Sequence, residues 1–334
     1  MAARRARADS IETRRDPGRD PGLDPGRDPG QVKVPDLSRK SQHPRPPVVA
    51  LSDPVARLPR EAPMTERKKV TVPDLAEWRE GGRRISMITA YDYTFARLVD
   101  LAGVDMILVG DSLAMVVQGE RNTIPVDLDE MAYHVRCVAR ARTKALVVGD
   151  LPFGSYQASA QQAVESSIRL MKEGAEAVKL EGGVTVASAI AAITAADIPV
   201  VGHIGLTPQS YHRMGGHRVQ GRTAGYEPGG RERLLEDAHA VEQSGACAVV
   251  IEGVPLDLAA EITDKVSIPT IGIGAGPHCS GQVLVMHDVL GLCEAEFRFA
   301  KKYADLRTAV IDATASFVDE VRDGTWPDLE HSFN

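Results

Sequence analysis

Cysteine is scarce and scattered. The four present, Cys137, Cys247, Cys279 and Cys293, form no CxxC pair. That argues against a disulfide framework and a zinc knot, and points to a reduced, cytoplasmic protein. Long apolar runs are also lacking: none approaches the ~18 residues a membrane span needs. Aromatic residues are only 4% of the chain, and none falls in residues 1–63. No basic stripe is present. The formal charge of −7 divides unevenly, because residues 1–63 hold 13 Lys and Arg against 9 Asp and Glu, giving +4 there and −11 in the rest. An acidic body gives no reason to propose nucleic acid as a partner.

Residues 1–63 also hold 11 of the 21 prolines and repeat DPG at a four-residue period from Asp16 to Gly30. Such a stretch cannot bury enough apolar surface to offset its ordering entropy. It has no apolar h-region, so it does not read as a secretory signal. Its Asp and Pro residues argue against a transit peptide. We read residues 1–66 as a disordered extension, or as sequence upstream of a start at Met64. Residues 67–334 read as one catalytic domain, long enough for a single large barrel.

What the body does contain is one event repeated. A run of apolar, β-rich residues ends, and a charged or polar residue follows. ILVGDS ends at Asp111 and Ser112, LVVGD at Asp150, VVGH at His203 and VVIEG at Glu252, while AVKLEG carries Lys179 and Glu181. The pattern predicts strands over 85–90, 106–109, 145–149, 177–180, 199–202, 248–251, 270–273 and 283–286. Helical periods lie between most of them, over 94–102, 158–173, 185–196, 230–244 and 256–266. The clearest follows Asp127, where Leu128, Met131, Val135 and Val138 share one face and Glu130 completes a capping-box-like start. Eight strands alternating with helices predict a (β/α)8 TIM barrel, whose catalytic face collects the C-terminal ends of its strands. The GIGAG stretch at 272–276 does follow a strand, but its third glycine is misplaced for a dinucleotide site. In a barrel it fits a close approach of backbone to an anion or to the next strand.

Charged residues beside buried strands need partners. Asp111 and Asp150 end neighbouring strands, where two close carboxylates repel unless a cation lies between them. Mg²⁺ takes one or two protein carboxylates plus water and substrate oxygens. Each aspartate alone reads equally well as a helix cap; the pair with Glu181 favours the metal. Lys179 and Glu181, two apart on a strand, point the same way. They suit a substrate carboxylate or enolate oxygen, or else an internal salt bridge. Glu252 ends an otherwise apolar strand, where desolvation would suit a general base; the alternatives are a helix cap or a partner for Arg. His203 and Ser112 join the same layer, with a structural histidine and a turn serine as their plainer readings. Tyr91 and Asp92 sit there too and cannot be ranked by spacing. The polar, glycine-rich stretch 205–223 reads as a lid or binding loop, with a surface excursion as its plainer reading.

The motifs MITAYDYTFARL, ILVGDSLAMVVQG, DLPFGSYQ, AVKLEGG, GHIGLTPQ, GGHRVQGR, VIEGVP and GIGAG occur in this order. The chain thereby resembles the ketopantoate (3-methyl-2-oxobutanoate) hydroxymethyltransferase family from about residue 70 to 306. The resemblance implies a barrel of the phosphoenolpyruvate/pyruvate type. It implies Mg²⁺, 3-methyl-2-oxobutanoate as acceptor, 5,10-methylenetetrahydrofolate as one-carbon donor, and 2-dehydropantoate as product, on the route to pantothenate and coenzyme A. It makes Asp111 and Asp150 metal ligands and Glu181 a metal-shell residue acting through water. Lys179 and Ser112 become contacts to the keto acid, His203 lines the same pocket, and Glu252 becomes the base. A homo-oligomer, often decameric in such families, is implied as well. Two departures stand out: Ser280 where an Asp-Gly-Gln sequence would begin, and 294–299. Both are expected at the distal side of the barrel mouth, bearing on folate contacts or subunit packing. The competing readings are a Mg²⁺-dependent C–C lyase or phosphoenolpyruvate mutase, disfavoured because 205–223 has no cysteine to serve as acid, and a non-catalytic barrel, disfavoured because every carboxylate is present.

Overall fold

Eight short strands close into one parallel barrel in chain order: β1 Ile85–Thr89, β2 Met106–Val109, β3 Leu146–Asp150, β4 Ala177–Glu181, β5 Val200–Gly205, β6 Ala248–Glu252, β7 Thr270–Ile273 and β8 Gly281–Leu284, which returns to β1. The structure, a computed structural model, describes residues 67–333 except 295 and 296; the reading of 1–66 as an extension lies outside the described residues. The helices are α1 Val72–Glu80, α2 Tyr93–Leu101, α3 Leu113–Val116, α4 Leu128–Ala139, α5 Ala160–Glu173, α6 Ala187–Ala195, α7 Tyr211–Met214, α8 Arg231–Gln243, α9 Leu256–Lys265, α10 Met286–Leu290 and α11 Leu306–Asp323.

Alternation along the strands makes two cores. One row fills the barrel with Met87, Met106, Leu108, Val148, Val201 and Val250 among others. The opposite row, including Ile107, Val178, Val249 and Ile251, packs against the helices. In α4, Met131, Val135 and Val138 are fully buried against that outer row, each contributing about 1.5–3 kcal/mol. Leu128, the first residue of that face, is only partly buried. The capping box forms: Glu130 N donates to Asp127 Oδ1 at 2.9 Å, and Asp127 N to Glu130 Oε2 at 2.9 Å. Asp127→Ala is therefore expected to lower stability by about 1 kcal/mol in urea denaturation; no change would mean that the cap is idle.

The structure adds α3, α7, α10 and α11, for which the sequence reading gave no range, and two further differences, in β8 and α1, have local causes. Strand β8 starts two residues early, because Gly281 lies so close to β1 that a Cβ there would stand 2.4 Å from Ile85 O. Gly281 pairs with Ile85 of β1. Between β7 and β8 the chain returns over 274–280 with no helix. Helix α1 was not anticipated, since its apolar period is short; its start signature was Thr71, whose N–H donates to Asp74 Oδ2 at 2.7 Å. Leu75 of α1 packs with the barrel interior, and Arg79 bonds Thr263 O at 2.7 Å and Ser267 O at 2.6 Å. Helix α1 therefore closes the N-terminal end and leaves the C-terminal end as the open face.

Candidate active site

The inward row of four successive strands runs from apolar to charged. Asp150 follows Val148 in β3, Lys179 and Glu181 follow Ala177 in β4, His203 follows Val201 in β5, and Glu252 follows Val250 in β6. The register pairs Asp150 with Lys179 and Glu181 with His203. Gly205 faces Glu252 with φ +93°, and a Cβ there would stand 2.3 Å from Glu252 O. Only glycine lets β5 end so close to β6.

Asp111 arrives differently, two residues beyond β2. The inward position ahead of it is Gly110, where a Cβ would lie 2.8 Å from Ser112 Oγ and 3.5 Å from Asp150 Oδ2. The missing side chain lets Asp111 N donate to Asp150 Oδ2 at 3.1 Å. Neither aspartate caps a helix: Ser112 holds the N-cap position of α3, and Ser159 caps α5. Asp92 is the structural one, accepting from Phe95 N at the start of α2. Tyr91 belongs to the site, with its buried hydroxyl 2.9 Å from Ser112 Oγ.

The contacts form one network. Lys179 Nζ lies 2.7 Å from Asp150 Oδ1, so the internal salt bridge between strands foreseen for Lys179 exists, from β4 to β3. His203 Nδ1 lies 3.3 Å from Lys179 Nζ and 3.4 Å from Glu181 Oε1, and His203 Nε2 lies 3.2 Å from Glu252 Oε2. Asp111, Asp150, Lys179, Glu181 and His203 are all buried. Glu252 is not the desolvated carboxylate that its apolar strand suggested. Its side chain keeps 20% of its exposure because it is the last residue of β6, at the mouth.

Burial and the neighbouring charges of Asp150 and Glu181 push the Asp111 carboxyl well above the usual carboxylate range. Burial also raises Asp150, against the opposing pull of Lys179. For Lys179, burial is outweighed by the three carboxylates, which hold the ammonium charged beyond its ordinary range. Glu181 is lowered because His203, Lys179 and the Gln209 N–H outweigh its burial. Burial and Lys179 depress His203, but Glu181 and Glu252 prevail and raise it to about 9. An imidazolium cannot accept from an ammonium, so the Glu181 contact is the one that holds Nδ1. The raised value has a sign. The stability His203 contributes is full below its ordinary 6.5 and is lost as pH rises through about 9. Metal-free protein is expected to lose up to about 3 kcal/mol more across that window than His203→Gln does, in urea denaturation at each end. Parallel losses would show that His203 is neutral throughout.

The cluster fits a hard divalent cation. Four carboxylates face one ammonium and one imidazolium, which leaves two negative charges when all are ionised. Asp150 Oδ1, Glu181 Oε1 and His203 Nε2 are buried and make no aligned hydrogen bond, being held only by the ion pairs with Lys179, His203 and Glu252; the two carboxylate oxygens are the atoms of this set that a cation could take. Among the described residues no three His, Cys, Asp or Glu side chains converge as a metal cage. Mg²⁺ does not require one, since two carboxylates with water and substrate oxygens suffice. Asp111 and Asp150 could hold it, with Glu181 at the margin.

Two site residues escaped the sequence reading, Gln209 and Tyr156. Gln209 Nε2 donates to Asp111 Oδ2 at 2.9 Å, and Gln209 N to Glu181 Oε2 at 3.0 Å. Tyr156 OH donates to Gln209 Oε1 at 2.7 Å. The available signal was Pro208 beginning a 3-10 turn, Pro208–Ser210, directly after β5. The stretch 205–223 is thus not a structureless loop: it starts as strand, continues as this turn and α7, and brings Gln209 to the cluster. A cavity of about 490 Å³ adjoins Glu181, Tyr156 and Gln209, with Phe153 and Arg213 also in its walls. Ser280 lies elsewhere than expected. It hydrogen-bonds Thr270 at the start of β7, so it sits at the N-terminal end, opposite the cluster. It is too far down the barrel to touch a ligand at the mouth.

Comparison with known proteins matches this picture. A model of the family described as ketopantoate hydroxymethyltransferase matches residues 69–329. The chain is 57% identical over 270 residues to the 3-methyl-2-oxobutanoate hydroxymethyltransferase of Pelobacter propionicus, covering 80% of this chain and 98% of that one. It is 54% identical over 260 residues to the enzyme of that name from Ignicoccus hospitalis, covering 78% and 97%. A solved phosphonopyruvate hydrolase in complex with oxalate and Mg²⁺ superposes with TM-score 0.53 at 15% identity, covering 78% of this chain and 93% of that one. A 2,3-dimethylmalate lyase of the PEP mutase/isocitrate lyase superfamily gives 0.51 at 17% identity, covering 78% and 91%. These structural likenesses bear on the fold alone, and they agree with the (β/α)8 TIM barrel. The lyase and non-catalytic readings give way: the chain belongs to the ketopantoate hydroxymethyltransferase family of transferases.

Proposed function

We propose that the chain transfers a hydroxymethyl group from 5,10-methylenetetrahydrofolate to 3-methyl-2-oxobutanoate, giving 2-dehydropantoate for pantothenate and coenzyme A. One observation carries the reading. In a chain of this family, Asp111, Asp150, Lys179, Glu181, His203 and Glu252 meet at the C-terminal ends of neighbouring strands. Asp111 and Asp150 would hold Mg²⁺, and Glu181 would reach it through water. Bound there, Mg²⁺ would supply Lewis acidity to the keto oxygen.

The chain's own groups do the rest. Glu252, at the mouth, takes the proton from C3 of the keto acid, and His203 beside it balances its charge. Lys179 presents its ammonium where negative charge develops on the keto oxygen. Ser112, oriented by Tyr91 OH, donates to the substrate carboxylate. C3 then bonds to the methylene carbon of the folate as the first of that carbon's two bonds to nitrogen breaks, and the proton taken from C3 goes to the nitrogen released. The second carbon–nitrogen bond then breaks, water oxygen takes its place, and the other water proton goes to that nitrogen, leaving tetrahydrofolate.

The test is proton–deuterium exchange at C3 of 3-methyl-2-oxobutanoate in D₂O, followed by NMR without folate. Exchange that requires Mg²⁺ is expected and should stop on chelation. Exchange that continues at full rate after chelation would remove the metal from the reading.

We further propose a homo-oligomer, up to a decamer. Helix α11 leaves Val310, Ile311, Phe317 and Val321 exposed, which supports assembly; light scattering checks it, and a monomer would refute it. A cytoplasmic location is supported by four cysteines that form no disulfide. No helix among the described residues is long and apolar enough to cross a membrane. We place the catalytic unit at 67–334, with 1–66 outside it, in keeping with the family match over 69–329.

A further inference from the structure

We infer that Gln209 is a positioning residue: its side-chain amide fixes the Asp111 carboxylate for a divalent cation and thereby couples cation binding to the order of the segment that follows β5. The inference rests on Asp111 being a cation ligand.

The amide has one possible orientation. Both hydrogens are used, Nε2 donating to Asp111 Oδ2 at 2.9 Å and to Leu151 O at 3.0 Å. Both acceptor positions are used, Oε1 receiving Tyr156 OH at 2.7 Å and Gln157 Nε2 at 3.2 Å. Turning the amide over would set its oxygen against the Leu151 carbonyl and its nitrogen against Gln157 Nε2. Gln209 is 5% exposed, so water does not compete. With Oδ2 held, Asp111 is free to offer Oδ1 in a fixed direction. The same residue's N–H holds Glu181 Oε2 at 3.0 Å, so one residue anchors two carboxylates from different strands.

The anchor stands at the start of the segment 206–230, whose own ties to the barrel include Leu206 N to Glu252 O and Gln220 N to Gly253 O. A cation that fixes the Asp111 carboxylate in place also fixes the acceptor that holds Gln209 Nε2. By linkage, an ordered Gln209 then strengthens the hold on the cation by the same factor.

The probe is Mn²⁺ alone, its affinity read by electron paramagnetic resonance in the full chain. Gln209→Met keeps the volume and the backbone bond to Glu181 but removes the amide. Groups that orient metal ligands are worth about 10–100-fold in affinity, and a weakening of that size is expected, with the KM for Mg²⁺ raised and kcat at saturating Mg²⁺ retained. In hydrogen exchange, Mn²⁺ should slow the amides of 207–213 in the wild type but not in Gln209→Met. If Gln209→Met fails to fold, Gln209→Asn, one methylene too short, carries the same expectations. Unchanged Mn²⁺ affinity in the folded variant, or amides of 207–213 that Mn²⁺ slows equally in variant and wild type, would overturn the inference. Asp111→Asn separates the two layers: Mn²⁺ bound as tightly as in the wild type would refute the ligand assignment itself.

Discussion

Lys179→Met is expected to lower kcat by about 10²–10³-fold, the effect of losing one preorganised donor to a developing oxyanion. Lys179 Nζ is buried 2.7 Å from Asp150 Oδ1, so no water can replace it. The substitution should also destabilise the metal-free protein by about 3–5 kcal/mol, since it strips a buried ion pair of one partner. Asp111, Asp150 and Glu181 would then share their space with His203 as the sole cation. Mg²⁺ should recover part of that loss, so millimolar Mg²⁺ should raise the melting temperature more in the variant than in the wild type. Thermal melts with and without Mg²⁺, beside steady-state kinetics, measure both effects. An unchanged kcat would take Lys179 out of the reaction. Equal Mg²⁺ shifts in variant and wild type would mean that the cation does not see this cluster.

Glu252→Gln should slow C3 exchange of 3-methyl-2-oxobutanoate by about 10²–10⁴-fold, the usual worth of a positioned general base. Metal affinity should survive. Glu252 touches the network through His203 Nε2 at 3.2 Å and keeps partial exposure at the mouth, so the variant buries no new unpaired charge. Exchange and Mn²⁺ binding, measured on the same sample, separate the roles. Exchange near the wild-type rate would assign the proton to another group. Loss of exchange together with loss of metal would mean that Glu252 supports the cation instead.

The barrel and most of the cluster were legible in the sequence because both depend on local alternation. Apolar runs of four to six residues mark the strands, and a charge at the end of each inward row marks the open face. Asp150, Lys179, Glu181, His203 and Glu252 could all be found that way. Gln209 and Tyr156 could not, because they meet the cluster across turns and across 53 positions of chain, and an uncharged amide leaves no mark in a polar stretch. The environment of Glu252 was misjudged for a related reason. Strand composition reports what lies along the strand, whereas exposure at its last residue depends on what covers the mouth. Ser280 was misplaced because motif order alone does not say that the chain descends over 274–280 without a helix, to begin β8 at the far end.

The two rows of the barrel make the site a matter of parity. In β4, Val178 and Leu180 face the helices while Lys179 and Glu181 face the cluster. One residue inserted or deleted ahead of Lys179 within that strand would exchange the rows. Two charges would then enter the apolar layer that holds Leu170 and Ile190, and two aliphatic side chains would enter the polar site. A change of two residues would keep every side chain on its own face and alter only its height. Length variation in β3 to β6 should therefore be tolerated in even steps before odd ones, while the segment 206–230 is bound by no such rule beyond Gln209.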